Sequence, residues 1–255
     1  MTRRIPALLL VALAAPLLGA CGSSSADQGA DAPDRNDLVL FVYDRSSSVP
    51  DYQLELARQL TDQRLRLLQH GERIAAFEML QESLSEPPQR WSQRAPDREF
   101  EDREVRRDSV ALARFVQDAQ DYLRRFTTTE EREHVGGTDI LSTLHDVSSE
   151  VRAYSDRRPI LYIFSDMLQA NRTMNFEGGR DPLSRLGWLE EAAEEGQLPD
   201  LSGVCVVVAG ARTDTDHGQA VRRFWTEYFE RTGATLDPSN FVLRPVRFDR
   251  HPCGS

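Results

Sequence analysis

Residues 38–48 carry the sequence LVLFVYDRSSS, in which six apolar side chains are followed by an aspartate and a run of hydroxyl side chains. An apolar run of this length without polar alternation is typical of a strand buried on both faces of a parallel sheet. The run therefore predicts a first, central strand from Leu38 to Tyr43. The polar stretch from Asp44 to Ser48 has two interpretations: a turn that only begins a helix, or one wall of a site that holds a cation.

Strand-length apolar runs alternate with helix-length segments along the rest of the chain. In the helix-length segments apolar residues recur at spacings of three and four, as Leu112, Phe115 and Ala119 do. This alternation predicts an α/β fold, a doubly wound and mostly parallel central sheet flanked by helices on both faces. We expect strands at 38–43, 73–80, 159–164, 203–209 and 241–246 with a short edge strand within 85–97, and helices at 50–70, 101–126, 140–154, 182–195 and 218–232.

Oxygen-bearing side chains stand at three strand ends or helix starts. Asp44-Arg45-Ser46-Ser47-Ser48 follows the first strand, Gly136-Gly137-Thr138-Asp139 opens the third helix, and Ser165-Asp166 follows the fourth long apolar run. In doubly wound sheets ligands bind at the carboxyl ends of the strands. We therefore expect these three loops to meet around one point.

The three loops resemble the metal-ion-dependent adhesion site of von Willebrand factor type A domains. The pattern is Asp-x-Ser-x-Ser after a first apolar strand, a threonine in a second loop and an aspartate after a later strand. The resemblance covers about residues 37–248 and implies a Rossmann-like fold that binds a protein partner and is not an enzyme. Carried over residue by residue, it assigns as metal ligands Asp44, Ser46, Ser48, Thr138 and Asp166.

The donor set also suits a hard cation on chemical grounds. Mg²⁺ prefers six oxygen ligands and keeps water where the protein supplies few, and Mn²⁺ or Ca²⁺ is the alternative ion. Alternation along the first loop turns Ser46 and Ser48 inward and Arg45 and Ser47 away. The resemblance implies a coordination position left open for a carboxylate of the partner. The alternative is a purely structural role, in which Ser48 and Thr138 serve only as helix N-caps.

One departure from the family pattern concerns the third loop. Many members place a glycine directly after the aspartate, whereas this chain continues Met167-Leu168-Gln169. The path of the loop, and with it the position of Asp166, is therefore left open by the sequence.

The first residues predict an export signal and a lipid anchor. Residues 1–20 combine a short positive start with an apolar run too short for a spanning helix. Leu18-Gly19-Ala20-Cys21 resembles the lipobox of bacterial lipoproteins, which implies that Cys21 is lipidated. Residues 21–36 are poor in apolar side chains and predict a flexible tether, followed by the domain at 37–248 and a tail at 249–255. The resemblance implies a bacterial cell envelope protein anchored in the outer membrane, facing the periplasm or the exterior.

The net charge of the chain disfavours some classes of binding partner. Without Arg3 and Arg4 the mature chain keeps 29 basic against 41 acidic residues, which disfavours nucleic acid and restricts membrane contact to the lipid anchor.

Cys205 and Cys253 have two interpretations. They form a disulfide in an oxidising compartment, or Cys205 is a small core residue of its strand.

Two other functions compete with the cation-dependent binding module. One is a metal-dependent hydrolase or phosphatase that uses Asp44 as nucleophile, although Ser46 stands where phosphoaspartyl enzymes need a second aspartate. The other is a metal-free scaffold that binds through the charged surface of residues 99–125. A second cation in the loop Thr213–His217 is less favoured than a solvated loop, because that loop has no glycine and terminal glutamate of an EF-hand.

Overall fold

The computed structural model describes residues 36–79, 90–98, 105–128, 137–245 and 250–254. Six strands form one sheet in the order β3-β2-β1-β4-β5-β6. Only β3, at one edge, runs antiparallel to its neighbour. The strands are β1 (Asp37–Asp44), β2 (Arg73–Met79), β3 (Arg90–Arg94), β4 (Arg158–Phe164), β5 (Cys205–Ala209) and β6 (Thr235–Val242).

The sheet is doubly wound around β1. All eight residues of β1 are buried, and the strand pairs in parallel with β2 on one side and β4 on the other. A strand in this position has neighbours at both edges and helices on both faces, so its sequence shows no polar alternation. The predicted fold class is confirmed.

Helices cover both faces of the sheet. They are α1 (Asp51–Arg66), α2 (Val105–Leu123), α3 (Ile140–Ala153), α4 (Leu186–Glu194) and α5 (Asp216–Arg231). Successive side chains of β1 point to opposite faces: Val39 and Phe41 pack with the apolar side chains of α1 and α2, and Leu40 and Val42 with those of α3, α4 and α5. Each face therefore has its own core.

The closing strand differs from the prediction. It was expected at 241–246, but β6 spans Thr235–Val242. Thr235 and Leu236 pair with β5, then the register shifts, and pairing resumes at Phe241. The interruption lies around Asp237, which accepts hydrogen bonds from the Ser239 N–H and hydroxyl at 2.8 and 2.6 Å and closes a local turn.

The remaining elements differ from prediction mainly at their ends. The predicted helix 50–70 ends at Arg66, and helix 182–195 starts with a 3-10 turn at Pro182–Arg185. The predicted edge strand is present as β3. Helix 101–126 is an α-helix followed by a 3-10 turn at Arg124–Phe126, and residues 101–104 lie outside the described ranges.

A disulfide joins Cys205 at the start of β5 to Cys253, with 5.8 Å between the Cα atoms. Of the two interpretations that the sequence left open for Cys205, the disulfide is the one present. The Asn240 side chain also donates a hydrogen bond to the carbonyl of Pro252 at 3.1 Å. Residues 250–254 are therefore held against the amino edge of the sheet.

A buried charge network lies at the same amino edge. Asp37, Arg64 and Glu72 are fully buried. Asp37 accepts hydrogen bonds from Arg64 at 3.1 Å and from Arg158 at 2.7 and 2.8 Å, and Glu72 accepts one from Arg250 at 2.5 Å. The tail thus supplies one of the cations that neutralise the two buried acids.

Candidate metal centre

Three loops meet at the carboxyl edge of the sheet, where β1 ends. Asp44, its last residue, is fully buried. Its Oδ1 accepts hydrogen bonds from the Ser46 N–H at 2.9 Å and from the Thr138 hydroxyl at 3.4 Å. Its Oδ2 accepts one from the Ser165 hydroxyl at 2.6 Å. One carboxylate therefore joins the loop after β1, the loop before α3 and the loop after β4.

The first loop turns its side chains alternately toward and away from this point. The hydroxyl of buried Ser46 is hydrogen-bonded to that of exposed Ser48, with 2.9 Å between the oxygens. Arg45 points elsewhere, and its Nη1 donates to Glu78 Oε1 at 2.8 Å. Ser46 and Ser48 thus lie together beside Asp44, in the arrangement that the sequence pattern predicts.

Neither Ser48 nor Thr138 caps the helix that follows it. The N-cap of α1 is Pro50, which makes no side-chain capping bond. The N-cap of α3 is Asp139, whose carboxylate accepts from the Ser142 N–H at 3.3 Å and from its hydroxyl at 2.6 Å. The hypothesis that Ser48 and Thr138 serve only as caps is wrong.

The third loop reaches the site although it lacks the family's glycine. Met167 takes the glycine's position with a φ of 64°, in the left-handed region that other residues rarely adopt. Its N–H donates to the Ser165 hydroxyl at 2.8 Å, and its carbonyl accepts from Trp225 Nε1 at 2.9 Å. Its side chain is fully buried in the core. These contacts hold the turn, and Asp166 accepts from the Leu168 N–H at 3.0 Å.

A pair of substitutions tests the conformation of Met167. Both Met167→Ala and Met167→Gly lose the buried side chain, but only glycine relieves the left-handed backbone. We expect the glycine variant to be more stable than the alanine variant by about 1 kcal/mol, the reverse of the usual order. Urea unfolding measures the difference. The control is Ala192→Gly, because Ala192 is a buried alanine inside the helix α4. There the substitution of alanine by glycine should be destabilising. Equal stability of Met167→Ala and Met167→Gly would contradict a strained turn at Met167.

Negative charge accumulates at this point. Burial raises the pKa of Asp44 above its ordinary value, against the hydrogen bonds that it accepts. Burial, followed by the nearby charge of Asp44, raises the pKa of Asp166 to about 6, while the Ser48 hydroxyl acts in the opposite direction. The Glu177 carboxylate also raises the pKa of Asp166. A divalent cation at this point would neutralise the two aspartates.

The donor set fits a hard cation. It consists of two carboxylates and three hydroxyls, all oxygen, which are the ligands that Mg²⁺ and Mn²⁺ accept. Within the described ranges no three His, Cys, Asp or Glu side chains come together in a group that could hold a metal ion. A metal at this site would therefore depend on the serine and threonine oxygens. The residues that would hold it are Asp44, Ser46, Ser48, Thr138 and Asp166.

Gln169 ties two of the loops together, a role that its place in the sequence does not indicate. It is fully buried. Its Oε1 accepts from the N–H groups of Ile140 and Leu141 at 2.8 and 3.2 Å, and its Nε2 donates to Asp139 Oδ1 at 3.2 Å. It thereby satisfies free N–H groups at the start of α3 from the loop after β4. Ser165 lies in one of the predicted loops, but the sequence assigned it no role, whereas its hydroxyl holds Asp44 Oδ2 at 2.6 Å.

The loop 171–181 is anchored beside the site. Ala170 exchanges two backbone hydrogen bonds with Thr138, at 2.8 and 3.1 Å, and forms an antiparallel bridge with Asn175. The Asn171 amide donates to the N-cap carboxylate of α3 at 3.0 Å. The loop therefore borders the candidate metal centre.

The segment Thr213–His217 makes contacts of its own. Thr215 is the N-cap of α5 and accepts from the Gly218 N–H at 3.0 Å. Exposed Asp214 accepts from Arg212 at 3.1 Å. These contacts agree with the solvated-loop interpretation.

Several predictions fall outside the described ranges. They concern the signal segment 1–20, Cys21, most of the tether 21–36, and Gly136. Among the residues that the structure does describe, no helix is both long and apolar enough to cross a membrane.

Fold and site together define a doubly wound α/β domain with a cluster of side-chain oxygens at the carboxyl edge of its sheet. No family model matches the chain, and no curated protein matches it either. Solved structures do show similarity. Proximal thread matrix protein 1 from the mussel byssus is 13% identical over 69% of this chain and 38% of that protein, with a TM-score of 0.34. This chain thus spans well under half of that protein's length.

Two further solved structures are similar at comparable levels. The manganese-loaded TRAP protein of Plasmodium vivax is 10% identical over 82% of this chain and 68% of its own, with a TM-score of 0.35. A von Willebrand factor type A protein from Catenulispora acidiphila is 12% identical over 78% of this chain and 43% of its own, with a TM-score of 0.33.

Proposed function

We propose that this chain is a von Willebrand factor type A-like binding module that recognises a protein partner through a divalent cation. The observation that carries the proposal is the meeting of Asp44, Thr138 and Asp166 from three separate loops at one strand edge, with Ser46 and Ser48 beside them. The cation, Mg²⁺ or else Mn²⁺ or Ca²⁺, would supply an electrophilic position for a carboxylate of the partner.

The chain's own residues support this role in distinct ways. Asp44 is held on both oxygens by hydrogen bonds, so its orientation is fixed before a cation binds. Ser48 is exposed and Asp166 is partly exposed, which leaves the site open on its solvent side. The bordering loop 171–181 is the proposed determinant of partner choice.

The proposal places the module at the bacterial cell envelope. Lipidation of Cys21 would anchor it to the outer membrane, with residues 21–36 as the tether. The proposal includes no enzymatic activity. A phosphatase with Asp44 as nucleophile is less favoured, because Ser46 stands where phosphoaspartyl enzymes need a second aspartate.

Magnesium titration tests the proposal. We expect Mg²⁺ to bind to the full chain with one site by calorimetry and to raise its unfolding free energy by about 2.7 kcal/mol at a hundredfold excess over the dissociation constant. The reason is that the cation neutralises Asp44 and Asp166 in the folded state only. In Asp44→Ala both effects should be lost.

The matched control is Asp214→Ala, because Asp214 is an exposed aspartate in a neighbouring loop. It should bind Mg²⁺ like the wild type. Equal binding by wild type and Asp44→Ala would contradict the site assignment. Partner binding that survives a chelator would then favour the metal-free scaffold and the charged surface of residues 99–125.

A further inference from the structure

Asn36, the residue at which the predicted tether joins the domain, lies at the amino edge of the sheet. Its carbonyl accepts a hydrogen bond from the N–H of Arg158, the first residue of β4, at 3.4 Å. Its side-chain amide nitrogen lies 2.7 Å from the position that a Cβ would take at Gly71, in the turn before β2. The tether therefore meets the domain between the starts of β1, β2 and β4.

Three arginines surround this point. The carbonyl of Gly71 accepts hydrogen bonds from Arg157 Nη1 at 2.7 Å and from Arg94 Nε at 3.5 Å. Arg158, bonded to the carbonyl of Asn36, follows directly in the chain. The side chains of Arg94 and Arg158 are 47% and 36% exposed, and Arg157 is half-buried. We call Arg94, Arg157 and Arg158 the amino-edge arginines.

Two of the amino-edge arginines have acidic partners but remain accessible. Arg158 pairs with Asp37 at 2.7 Å, and Asp37 itself is fully buried. Arg94 pairs with Asp97 at 2.6 Å, and both of these side chains are about half exposed. A guanidinium group carries five N–H donors, so each arginine keeps donors for a further anion.

Arg157 lies among other positive charges. Within the described ranges it forms no ion pair with a carboxylate, and its Nη1 is bonded to a backbone carbonyl. Partial burial lowers the pKa of Arg157 from its ordinary value, and the charge of Asp156 acts in the opposite direction. The charges of Arg94 and Arg73 lower that pKa further. An anion bound at this surface would relieve the repulsion between the guanidinium groups.

The net charge of the whole chain does not decide what this edge binds. That charge is −10, which disfavours an anionic surface at long range. At physiological ionic strength, however, charges are screened over about 8 Å. The buried acids of this edge, Asp37 and Glu72, are already paired with arginines. The arginines nearest to an approaching anion therefore have more influence than the acids elsewhere on the chain.

The tether sets which edge meets a membrane. A chain of the length of residues 21–36 spans about 20 Å on average and at most about 50 Å. Its two ends are therefore held at an effective concentration on the order of millimolar. With a lipid on Cys21, the edge around Asn36 is the part of the domain nearest to the membrane. A contact too weak to be seen with the free protein is then populated.

We propose that the amino edge binds the anionic phospholipid headgroups of the membrane that holds the lipid anchor, with the amino-edge arginines against the lipid phosphates. Guanidinium groups match phosphate oxygens with two parallel hydrogen bonds. The inference rests on the proposed function, because the lipid on Cys21 brings this edge to the membrane. β1 has eight residues, about 26 Å at the usual rise of a strand, so the candidate metal centre at its other end faces partners away from the membrane.

The test uses the full chain, lipidated at Cys21, in vesicles that carry a fluorescence quencher on their headgroups. A dye is attached at Ser155→Cys, in the exposed turn before β4, or at Asp214→Cys, in the exposed loop after β5. In vesicles of phosphatidylcholine and phosphatidylglycerol we expect quenching at Ser155→Cys and little at Asp214→Cys. Quenching at Ser155→Cys should fall in phosphatidylcholine alone and at high salt, because the contact is electrostatic.

Substitutions separate the contact from the simple closeness that the tether imposes. Arg94→Gln/Arg157→Gln should weaken the contact at Ser155→Cys about tenfold, since each arginine near an anionic membrane adds to the attraction. Arg94→Lys/Arg157→Lys keeps the charge and should keep most of the quenching, which a loss of folding would not allow. The matched control is Arg212→Gln, which removes an exposed arginine at the carboxyl edge and should change nothing.

Equal quenching at the two dye positions would overturn the inference. So would quenching at Ser155→Cys that is unchanged without phosphatidylglycerol or in Arg94→Gln/Arg157→Gln. The mass of the mature chain shows separately whether Cys21 carries a lipid. A chain without that lipid overturns the anchor and this contact together.

Failure of this contact is distinguishable from failure of the cation-dependent function. A lipid on Cys21 and Mg²⁺ binding that is lost in Asp44→Ala, without arginine-dependent quenching, overturn the membrane contact alone. Arginine-dependent quenching without Mg²⁺ binding overturns the cation-dependent function and supports the membrane contact.

Discussion

Replacing Asp37 with asparagine should destabilise the folded chain by about 3–5 kcal/mol, the usual effect of removing one partner of a buried ion pair. Asp37 is fully buried, and its two oxygens accept hydrogen bonds from Arg64 and Arg158. Asparagine keeps the shape but loses the charge and turns donors toward guanidinium groups. Among the described residues, Arg64, itself fully buried, then keeps only Glu72 as a counter-charge, at 3.7 Å.

Urea unfolding with the midpoint and slope fitted together measures this effect. The control is Asp214→Asn, which removes the same charge from an exposed pair with Arg212 and should leave the midpoint unchanged. A midpoint for Asp37→Asn equal to that of the wild type would show that the network at the amino edge contributes nothing to stability. Mg²⁺ binding by the folded variant should be unchanged, because the candidate metal centre lies at the opposite edge of the sheet.

The parts of the fold that the sequence predicted well are those with a strong local pattern. The apolar run of β1 required burial on both faces, and the helix spacings indicated α3 and the described part of α2, whose predicted start at residue 101 lies outside the described residues. β6 was missed at its start because Asp237-Pro238-Ser239-Asn240 has the composition of a loop, although it lies between two paired ends of one strand. Local composition cannot reveal that a strand resumes its pairing after a bulge.

In the candidate site, too, the features that follow from local sequence patterns were predicted, and those that depend on distant residues were not. The five predicted ligands are brought together because the rule about strand ends depends only on topology, and topology followed from the alternation of elements. Met167 could not be predicted in its left-handed conformation, because its support comes from Trp225, 58 residues away. Gln169 gave no signal either, since its three hydrogen bonds reach residues at the start of α3.

The disulfide was left open for a similar reason: nothing near Cys205 in the sequence indicates that Cys253 returns to it. Its contribution to stability can nevertheless be estimated from the chain between the two residues. They are separated by 48 positions, and closing a loop of that length in the unfolded chain corresponds to about 4 kcal/mol of stability in the chain-entropy description.

The double variant Cys205→Ser/Cys253→Ser should therefore lose about 4 kcal/mol of unfolding free energy. Urea unfolding of both chains with and without dithiothreitol measures it. Dithiothreitol reduces the protein disulfide to two thiols while it is itself oxidised to a cyclic disulfide, so the wild type should lose the same amount. The serine variant should not respond to the reductant, and a response of equal size in both chains would contradict the assignment to Cys205 and Cys253.

The losses of stability caused by Asp37→Asn and by removal of the disulfide should also be coupled. Residues 250–254 are held by the disulfide, and within them Arg250 donates to Glu72 and lies 3.5 Å from Asp37. Without the disulfide the tail is less firmly positioned, so Arg250 neutralises the buried acids less well and Asp37 has less cationic charge to balance. Asp37→Asn should then cost less in the serine variant than in the wild type, by about 0.5–3 kcal/mol, the range typical of residues that share one network. Strict additivity of the two changes would mean that the tail does not take part in the network.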